Sequence, residues 1–273
     1  MSGADTDKRY TALVLAATRG GPRDPLAEAG HVSHKAFIGL AGKPMLRRVV
    51  EGVIDSGRVG QVIVSIEQEA MEEAKEVLAG LESRVPIIHT PSRESIGVSV
   101  AAIEQAFPEA LPMIITTGDN GLHTGEIVKS FCDQLDTVTA DGALGLTNAR
   151  YVLETYPDGA RAFHRFRDGQ FSSCNLYAFL TPKAFKGAAI FNGGGQFGKK
   201  PKRLIGAFGL LAFLVYKSRA VKVRSFIRFL SRAIGVRTVP VFLPFAEGPI
   251  DIDRMSDWQL AERIIRERES AAG

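Results

Sequence analysis

Short apolar runs that alternate with helical segments are the feature that most constrains how this chain can fold. Seven runs have the length and composition of strands: residues 10–17, 61–66, 85–89, 112–117, 141–147, 173–180 and 236–244. Five segments are typical of helices: residues 45–56, 69–81, 96–107, 127–135 and 257–269. Because alternating strands and helices form a parallel sheet with helices on both faces, we predict a three-layer α/β fold with a mostly parallel sheet.

Two details of this pattern make finer predictions. The last apolar run contains Pro240, which lacks the backbone donor that a central strand needs. We therefore place that run at an edge of the sheet. Residues 35–40 are a candidate for a further short strand.

The composition is that of a globular protein. Hydrophobic residues make up 45% and charged residues 23% of the 273 residues, which disfavours a disordered, collagen-like or coiled-coil chain. We predict a single domain over residues 1–273. Two cysteines exclude a disulfide framework and a cysteine-rich zinc site. Residues 1–9 are polar, so we expect no secretory signal and a cytoplasmic location.

Basic residues are concentrated in an acid-free segment, residues 170–246. It contains 13 basic residues: Lys183, Lys186, Lys199, Lys200, Lys202, Arg203, Lys217, Arg219, Lys222, Arg224, Arg228, Arg232 and Arg237. Residues 203–235 interrupt the strand–helix alternation and are predicted to be an inserted pair of helices. Such charge segregation indicates an anionic partner, either a phosphate-bearing substrate, anionic lipid or nucleic acid. Nucleic acid is disfavoured because no motif for binding RNA or DNA accompanies the charge.

Two interpretations of the basic insertion, residues 199–237, stay open. Apolar residues such as Phe226 and Phe229 alternate with arginines, which is typical of a helix lying on an anionic membrane surface. This interpretation places the protein at the inner face of the membrane. Alternatively, two helices cover the sheet and their basic residues are solvated. The longest apolar run, residues 204–216, is shorter than the roughly 20 residues that a bilayer span requires.

A glycine-containing loop follows the first strand. It consists of Leu15, Ala16, Ala17, Thr18, Arg19, Gly20 and Gly21. Such a loop can present backbone N–H groups to an anion, whose charge Arg23 and Lys35 would neutralise. The alternative is a flexible turn between a strand and a helix. The loop matches neither the Walker A nor the Rossmann pattern, so those nucleotide-binding classes are disfavoured.

Carboxylates follow two apolar segments. Asp119 comes after the strand at 112–117, and Asp251 and Asp253 project to one face of an extended segment. Carboxylates beyond the ends of strands are suitable ligands for Mg²⁺, because ligands bind at that edge of an α/β sheet. For Asp119 the alternative is an ordinary turn residue.

These motifs together resemble the MobA-like NTP transferases, which are nucleotidyltransferases of the GT-A type. The resemblance rests on the Leu-Ala-Ala loop, on Lys35 followed by Gly-Lys-Pro at 42–44, on Thr-Gly-Asp-Asn at 117–120 and on Asp-Ile-Asp at 251–253. It covers about residues 1–150 and 245–270, and more weakly 170–180. Residues 95–99 resemble the family segment near the base and ribose. The chain departs from the family at Thr18, where glycine is usual, and at Arg23, which is displaced by one position.

The resemblance implies a Rossmann-like fold of the nucleotide-diphospho-sugar transferase type and the roles of particular residues. Lys35 and Arg23, or Arg19, would hold the triphosphate of an NTP. Asp119 and Asp251 would bind Mg²⁺, with Asp253 as a further ligand. The nucleotide would be bound by residues 15–21 together with Gly97 and Ser99. Asn175 would contact the acceptor, although a turn role is equally open.

The resemblance also implies the reaction, in which a nucleoside monophosphate passes from the NTP to a phosphorylated acceptor and pyrophosphate is released. CTP or GTP is the expected nucleotide. The basic insertion at residues 199–237, rather than the resemblance, indicates a lipid-linked acceptor or a lipid precursor. Two alternatives are kept. One is a cofactor or sugar-phosphate guanylyl- or cytidylyltransferase with a soluble acceptor. The other is a nucleotide-binding protein without transferase activity.

Overall fold

The computed structural model describes residues 10–18, 23–157, 162–188, 190 and 203–272. The strands in this part of the chain are β1 (Tyr10–Leu15), β2 (Gly39–Leu40), β3 (Lys43–Pro44), β4 (Val59–Ile66), β5 (Ile87–Pro91), β6 (Met113–Thr117), β7 (Gly142–Asn148), β8 (His164–Phe166), β9 (Gly169–Phe179) and β10 (Thr238–Phe242). The helices are α1 (Pro25–Ala29), α2 (Met45–Asp55), α3 (Met71–Leu78), α4 (Ile96–Ala106), α5 (Gly125–Leu135), α6 (Ala149–Thr155), α7 (Phe185–Ala188), α8 (Arg203–Ser218), α9 (Val223–Ile234) and α10 (Met255–Ala272).

The chain divides into two compact units. The first unit comprises Met1–Ser92, Ile114–Cys132 and Ile250–Gly273, and the second comprises Arg93–Met113 and Asp133–Pro249. The predicted α/β class with a mostly parallel sheet is confirmed. The single domain over residues 1–273 stays a prediction.

Parallel strands form the core of the first unit, in the order β6, β1, β4, β5. Strand β1 pairs in parallel with β4, with Leu15 opposite Ser65, and β4 pairs in parallel with β5. Ala12, Leu13 and Val14 of β1 are fully buried. A continuous buried run is what a parallel strand requires when helices cover both of its faces.

The second unit has a sheet in the order β10, β7, β9, with β8 beside β9. Strand β10 pairs in parallel with β7, whereas β9 is antiparallel to both β7 and β8. Because β10 is the end strand of this order, the edge position predicted from Pro240 is confirmed.

The region predicted to be an inserted pair of helices contains α8 and α9, and their status as an insertion stays a prediction. The structure contradicts one detail of the membrane interpretation of residues 199–237, the insertion of Phe226, whereas Phe229 is half-buried and membrane association of the segment stays a prediction. Phe226 is only 5% exposed, and its ring contacts the rings of Phe166 and Tyr216. Since Ile227 on the same face packs with Phe171 in a buried cluster, the apolar face of α9 covers its own unit. Residues 199–202 lie outside the described residues.

None of the helices in the described ranges is both long enough and apolar enough to cross a membrane.

The predicted strand at residues 35–40 is wrong in its first half. Lys35–Phe37 forms a 3-10 turn, and only Gly39–Leu40 is extended. Leu40 pairs with Lys43 across a hairpin whose two central residues, Ala41 and Gly42, both have positive φ. Two central residues in the left-handed region are the hallmark of a tight type I′ hairpin, so the chain reverses directly after Leu40. The 3-10 turn, closed by the N–H of Ile38 donating to the carbonyl oxygen of Lys35, ends directly before β2.

Replacement of Gly52 in α2 tests the packing of the first unit. A Cβ at this position would collide with the backbone carbonyl oxygen of His123. We expect Gly52→Ala to lower the free energy of unfolding by about 1–3 kcal/mol, because overpacking outweighs the gain in helix propensity. The matched control is Gly206→Ala in α8, where a Cβ meets nothing within 4 Å. Thermal melts in which Gly52→Ala is as stable as the parent would contradict this packing.

Candidate active site

Two strand ends meet in the first unit, after β1 and after β6. The backbone N–H of Gly118 donates a hydrogen bond to the carbonyl oxygen of Leu15 at 2.8 Å. A Cβ at Gly118 would lie 2.8 Å from the Cα of Ala16, so only glycine permits this approach. As a result, the loop that begins at Ala16 runs beside the segment that carries Asp119.

The described part of the first loop is held by β4 and the residue after it. The N–H of Ala16 donates to the carbonyl oxygen of Ser65 at 2.8 Å, and the N–H of Thr18 donates to Oε1 of Glu67 at 2.6 Å. Arg19, Gly20 and Gly21 lie outside the described residues, so their role in binding an anion stays a prediction. Arg23 is exposed and directly precedes Asp24, whose side chain caps α1.

The Lys35 ammonium is the centre of the site. Its Nζ lies 3.1 Å from Oδ2 of Asp119 and 3.1 Å from Oδ1 of Asp253. The side chain of Lys35 is only 10% exposed. Burial alone lowers the pKa of this lysine, but the charges of Asp119 and Asp253 and their hydrogen bonds outweigh burial, so the pKa of Lys35 is raised above its ordinary value.

Local hydrogen bonds position the Asp119 carboxylate and the backbone that carries Asp253. The hydroxyl of Thr117 lies 2.6 Å from Oδ1 of Asp119. The N–H of Ile252 donates to the carbonyl oxygen of Asp119, and the N–H of Asp253 donates to Oδ2 of Asp257. The 250–253 segment is therefore tied to the end of β6.

The structure thus brings together three of the predicted site residues: Lys35, Asp119 and Asp253. Asp251 lies two residues before Asp253 on the same segment and is half-buried.

The charge of this cluster fits a divalent cation. Two carboxylates and one ammonium leave one negative charge, and the carboxylate side chains are 26% and 35% exposed, so the cluster is reached by solvent. Among the described residues, no group of three or more His, Cys, Asp or Glu side chains could hold a metal on its own. Two converging carboxylates without a full cage match Mg²⁺, which keeps waters and phosphate oxygens as its other ligands. The donor set therefore fits Mg²⁺ bound together with a phosphate-bearing ligand.

The other predicted nucleotide-binding residues lie in the second unit, at the start of α4. The hydroxyl of Ser95 accepts a hydrogen bond from the N–H of Val98, which caps the helix. The hydroxyl of Ser99 accepts from the N–H of Arg93, and both Gly97 and Ser99 are buried. The Ser99 hydroxyl therefore fixes the turn that leads into α4, and its contact with a nucleotide stays a prediction.

Asn175 lies in an irregular part of β9. Leu144 pairs with Tyr177 and Leu146 pairs with Ser173, so three residues of β9 face the single Gly145 of β7. Asn175 has a φ of 50° within this bulge. Asparagine tolerates the left-handed region better than most residues, and a bulge redirects side chains from the regular alternation of a strand.

The sequence analysis assigns no role to two site residues, Glu67 and the Thr117 of the motif at 117–120. Glu67 follows β4 directly and binds the backbone of Thr18. Thr117 ends β6 and contacts Asp119. Their signal is their position at the carboxyl ends of parallel strands, where polar residues face the ligand edge of a sheet.

Comparison with known proteins gives a family and several relatives. The model described as the MobA-like NTP transferase domain matches residues 12–169. A 2-C-methyl-D-erythritol 4-phosphate cytidylyltransferase from Nocardia farcinica is 35% identical over 107 residues, which are 39% of this chain and 44% of that protein. This chain therefore spans less than half the length of that relative.

Solved structures share the fold over nearly the whole chain. A hypothetical transferase from Thermus thermophilus has a TM-score of 0.72 and 23% identity, covering 92% of this chain and 99% of that chain. A 4-diphosphocytidyl-2C-methyl-D-erythritol synthase from Anaerococcus prevotii has a TM-score of 0.58 and 12% identity, covering 95% of this chain and 99% of that chain. At these identities the likeness establishes the fold alone, and it confirms the predicted fold type.

The bulge at Asn175 can be tested by its backbone conformation. We expect Asn175→Val to destabilise the protein by about 1–3 kcal/mol, because a β-branched residue is strained at positive φ. We expect Asn175→Gly to melt close to the parent, since glycine adopts this conformation without strain. Thermal melts of both variants provide the measurement. Equal stability of the valine and glycine variants would contradict the left-handed assignment.

Proposed function

The chain belongs to the MobA-like NTP transferase family, and from this premise we propose that it is a cytidylyltransferase that acts on a phosphorylated acceptor. The observation that carries the proposal is the position of the Lys35 ammonium between Asp119 and Asp253. One cation for phosphate oxygens and two carboxylates for a divalent metal are the groups that nucleotidyl transfer requires.

The proposed reaction needs alignment of charged groups rather than a strong base. An oxygen of the acceptor phosphate attacks the α-phosphorus of the NTP and forms a new P–O bond. The bond from the α-phosphorus to the bridging oxygen breaks, and pyrophosphate leaves with that electron pair. Because a phosphate acceptor is already ionised near neutral pH, its attacking oxygen has no proton to lose. The protein therefore contributes mainly orientation and charge stabilisation.

Lys35 is proposed to bind oxygens of the triphosphate. Charge-assisted hydrogen bonds of an ammonium to phosphate are about twice as strong as neutral ones. Since the 3-10 turn and the two carboxylates fix this side chain, its ammonium is already oriented before the nucleotide arrives. Arg23, or Arg19 outside the described residues, is proposed as a second phosphate-binding cation.

Asp119 and Asp253 are the residues that would hold Mg²⁺, and Asp251 is a further candidate. When bound, the metal would neutralise charge on the phosphate oxygens of the nucleotide. Thr117 and the N–H of Ile252 keep Asp119 in position for that role.

CTP and a soluble sugar- or polyol-phosphate are the proposed substrates. The support is the cytidylyltransferase from Nocardia farcinica, whose name states both a cytidylyl group and a phosphorylated polyol. A lipid-linked phosphate acceptor, GTP, and nucleotide binding without transfer are the competing possibilities. The two cysteines are buried and form no disulfide, which suits a reducing compartment, so we propose that the enzyme acts in the cytoplasm.

A substrate screen tests the proposal as a whole. The four NTPs are combined with Mg²⁺ and a panel of acceptors that includes sugar phosphates, polyol phosphates and a lipid-linked phosphate, and pyrophosphate release is measured. We expect release with CTP and a soluble acceptor. Release with only a lipid-linked acceptor would overturn the acceptor assignment, and tight NTP binding without any pyrophosphate release would overturn the transferase assignment.

Replacement of Lys35 tests the phosphate contact. We expect Lys35→Ala to weaken CTP binding by about 1.5–3 kcal/mol, or roughly tenfold to a hundredfold, and to reduce turnover. Calorimetric titration with CTP and steady-state kinetics provide the measurements. The control is Lys75→Ala, which removes an exposed lysine of α3 that pairs with Glu72. A Lys35→Ala enzyme that binds CTP as the parent does would refute this role.

Replacement of Asp119 tests the metal contact. We expect Asp119→Asn to raise the Mg²⁺ concentration required for half-maximal activity by at least about tenfold, because a neutral amide is a weaker ligand than a carboxylate. The control is Asp55→Asn, an exposed carboxylate that pairs with Arg84. Activity is titrated with Mg²⁺ for both variants, and their thermal melts are compared with the parent. An unchanged Mg²⁺ dependence in Asp119→Asn would rule out this assignment.

A further inference from the structure

Three exposed leucines lie together on α8 in the second unit. Leu210, Leu211 and Leu214 are 59%, 61% and 52% exposed. Exposed leucines that stand singly are ordinary, but three at positions i, i+1 and i+4 of one helix form a continuous apolar strip. We call these three residues the leucine face.

The leucine face points away from the side of α8 that is packed. Ala212 is fully buried, and the hydroxyl of Tyr216, one turn later, lies 3.0 Å from Nδ1 of His164. The ring of Tyr216 also contacts Phe166 and Phe226. At 3.6 residues per turn, Leu210 and Leu211 lie on one side of the helix axis, and Ala212 and Tyr216 lie on the opposite side. The leucines are therefore held outward by the anchoring of the other side.

A break in α8 sets where the leucine face begins. Gly209 has a φ of 84°, which is non-helical, and the helix resumes at Leu210. The positive φ favours glycine at this position. The leucine face thus occupies the first turns of a separate amphipathic segment, residues 210–218.

Basic residues follow the leucine face directly along the chain. Lys217, Arg219 and Lys222 are all exposed. Lys217 lies on the same side of the helix as Leu210 and Leu214, because Leu214 follows Leu210 by four positions and Lys217 follows Leu214 by three. Neither Asp nor Glu occurs between residues 170 and 246, and the carboxylate of Asp168 accepts a hydrogen bond from the N–H of Val223, next to Lys222.

We propose that the leucine face docks the protein on a membrane surface that contains anionic lipid. An amphipathic helix with an apolar strip and neighbouring lysines or arginines lies in the plane of the interface, with its apolar side among the acyl chains. The basic residues bind anionic headgroups, while the leucines enter the apolar layer. The sequence analysis predicts membrane contact for residues 199–237 as a whole with Phe226 and Phe229 inserted, and the structure moves the apolar contact to the leucine face of α8.

A second copy of the chain is a poorer occupant for this surface. In a twofold contact the same patch occurs on both partners, so the leucine faces would meet with Lys217, Arg219 and Lys222 of each copy close together. Like charges brought together in this way repel each other, and no acidic residue of the segment relieves the repulsion. Anionic headgroups complement the same charges.

Vesicle co-sedimentation of the full-length protein tests the proposal. Vesicles of neutral phosphatidylcholine alone are compared with vesicles that also contain phosphatidylglycerol, each at low and high salt. At low salt we expect about tenfold more protein to sediment with the anionic vesicles than with the neutral ones. At high salt part of this bound protein should be lost, because salt screens the attraction between the basic residues and the headgroups. Equal recovery on both vesicles, or no recovery at low salt, would overturn the proposal.

Substitutions locate the surface and separate it from self-association. Leu210→Ser, Leu211→Ser and Leu214→Ser combined should abolish recovery, whereas Leu153→Ser, which replaces an exposed leucine of α6, should leave it unchanged. If the thermal melt shows that the triple variant does not fold, the single variant Leu211→Ser replaces it, and we expect this variant to weaken recovery of the protein with anionic vesicles. Light scattering is measured in parallel. The surface would instead belong to a second copy if the parent protein is a dimer and does not bind vesicles, and if the triple variant is a monomer.

Discussion

The first unit is organised around one buried ammonium group. Lys35 is 84 residues from Asp119 and 218 residues from Asp253 along the chain, yet its Nζ contacts both. An ammonium that leaves water is stabilised only when carboxylates compensate its charge. The turn at Lys35, the end of β6 and the segment before α10 must therefore converge, and this convergence creates a cluster with a net negative charge beside the first loop.

Much of this arrangement could be predicted from the sequence because the carboxyl ends of parallel strands share one edge of a sheet. The alternation of strands and helices fixes that edge, and Asp119 comes directly after a buried run. The pairing of Lys35 with Asp253 could not be predicted in the same way. Lys35 belongs to a 3-10 turn where the sequence indicated a strand, so the alternation of side chains along a strand does not give the direction of Lys35.

The two helices of the insertion illustrate what a periodic pattern leaves open. The pattern in α9 correctly indicates an amphipathic helix, but it says nothing about what covers the apolar side. Phe226 and Ile227 are covered by Phe166, Phe171 and their neighbours. In α8 apolar residues occur on nearly every face of the helix, so the sequence pattern does not indicate which face is exposed. Only the anchoring of Ala212 and Tyr216 distinguishes the two sides.

Thr18, which replaces the usual glycine of the family, is accommodated without backbone strain. Its φ is not positive, since the residues other than glycine that have positive φ in the described ranges are His31, Ala41, Asn175 and Arg219. The conformational freedom of glycine is therefore not needed at this position. The N–H of Thr18 donates to the Glu67 carboxylate, which fixes the start of the loop. This contact uses the backbone N–H, which glycine also has, so it does not depend on the threonine side chain, and Thr18 itself gives no structural reason to expect a loss of transferase activity.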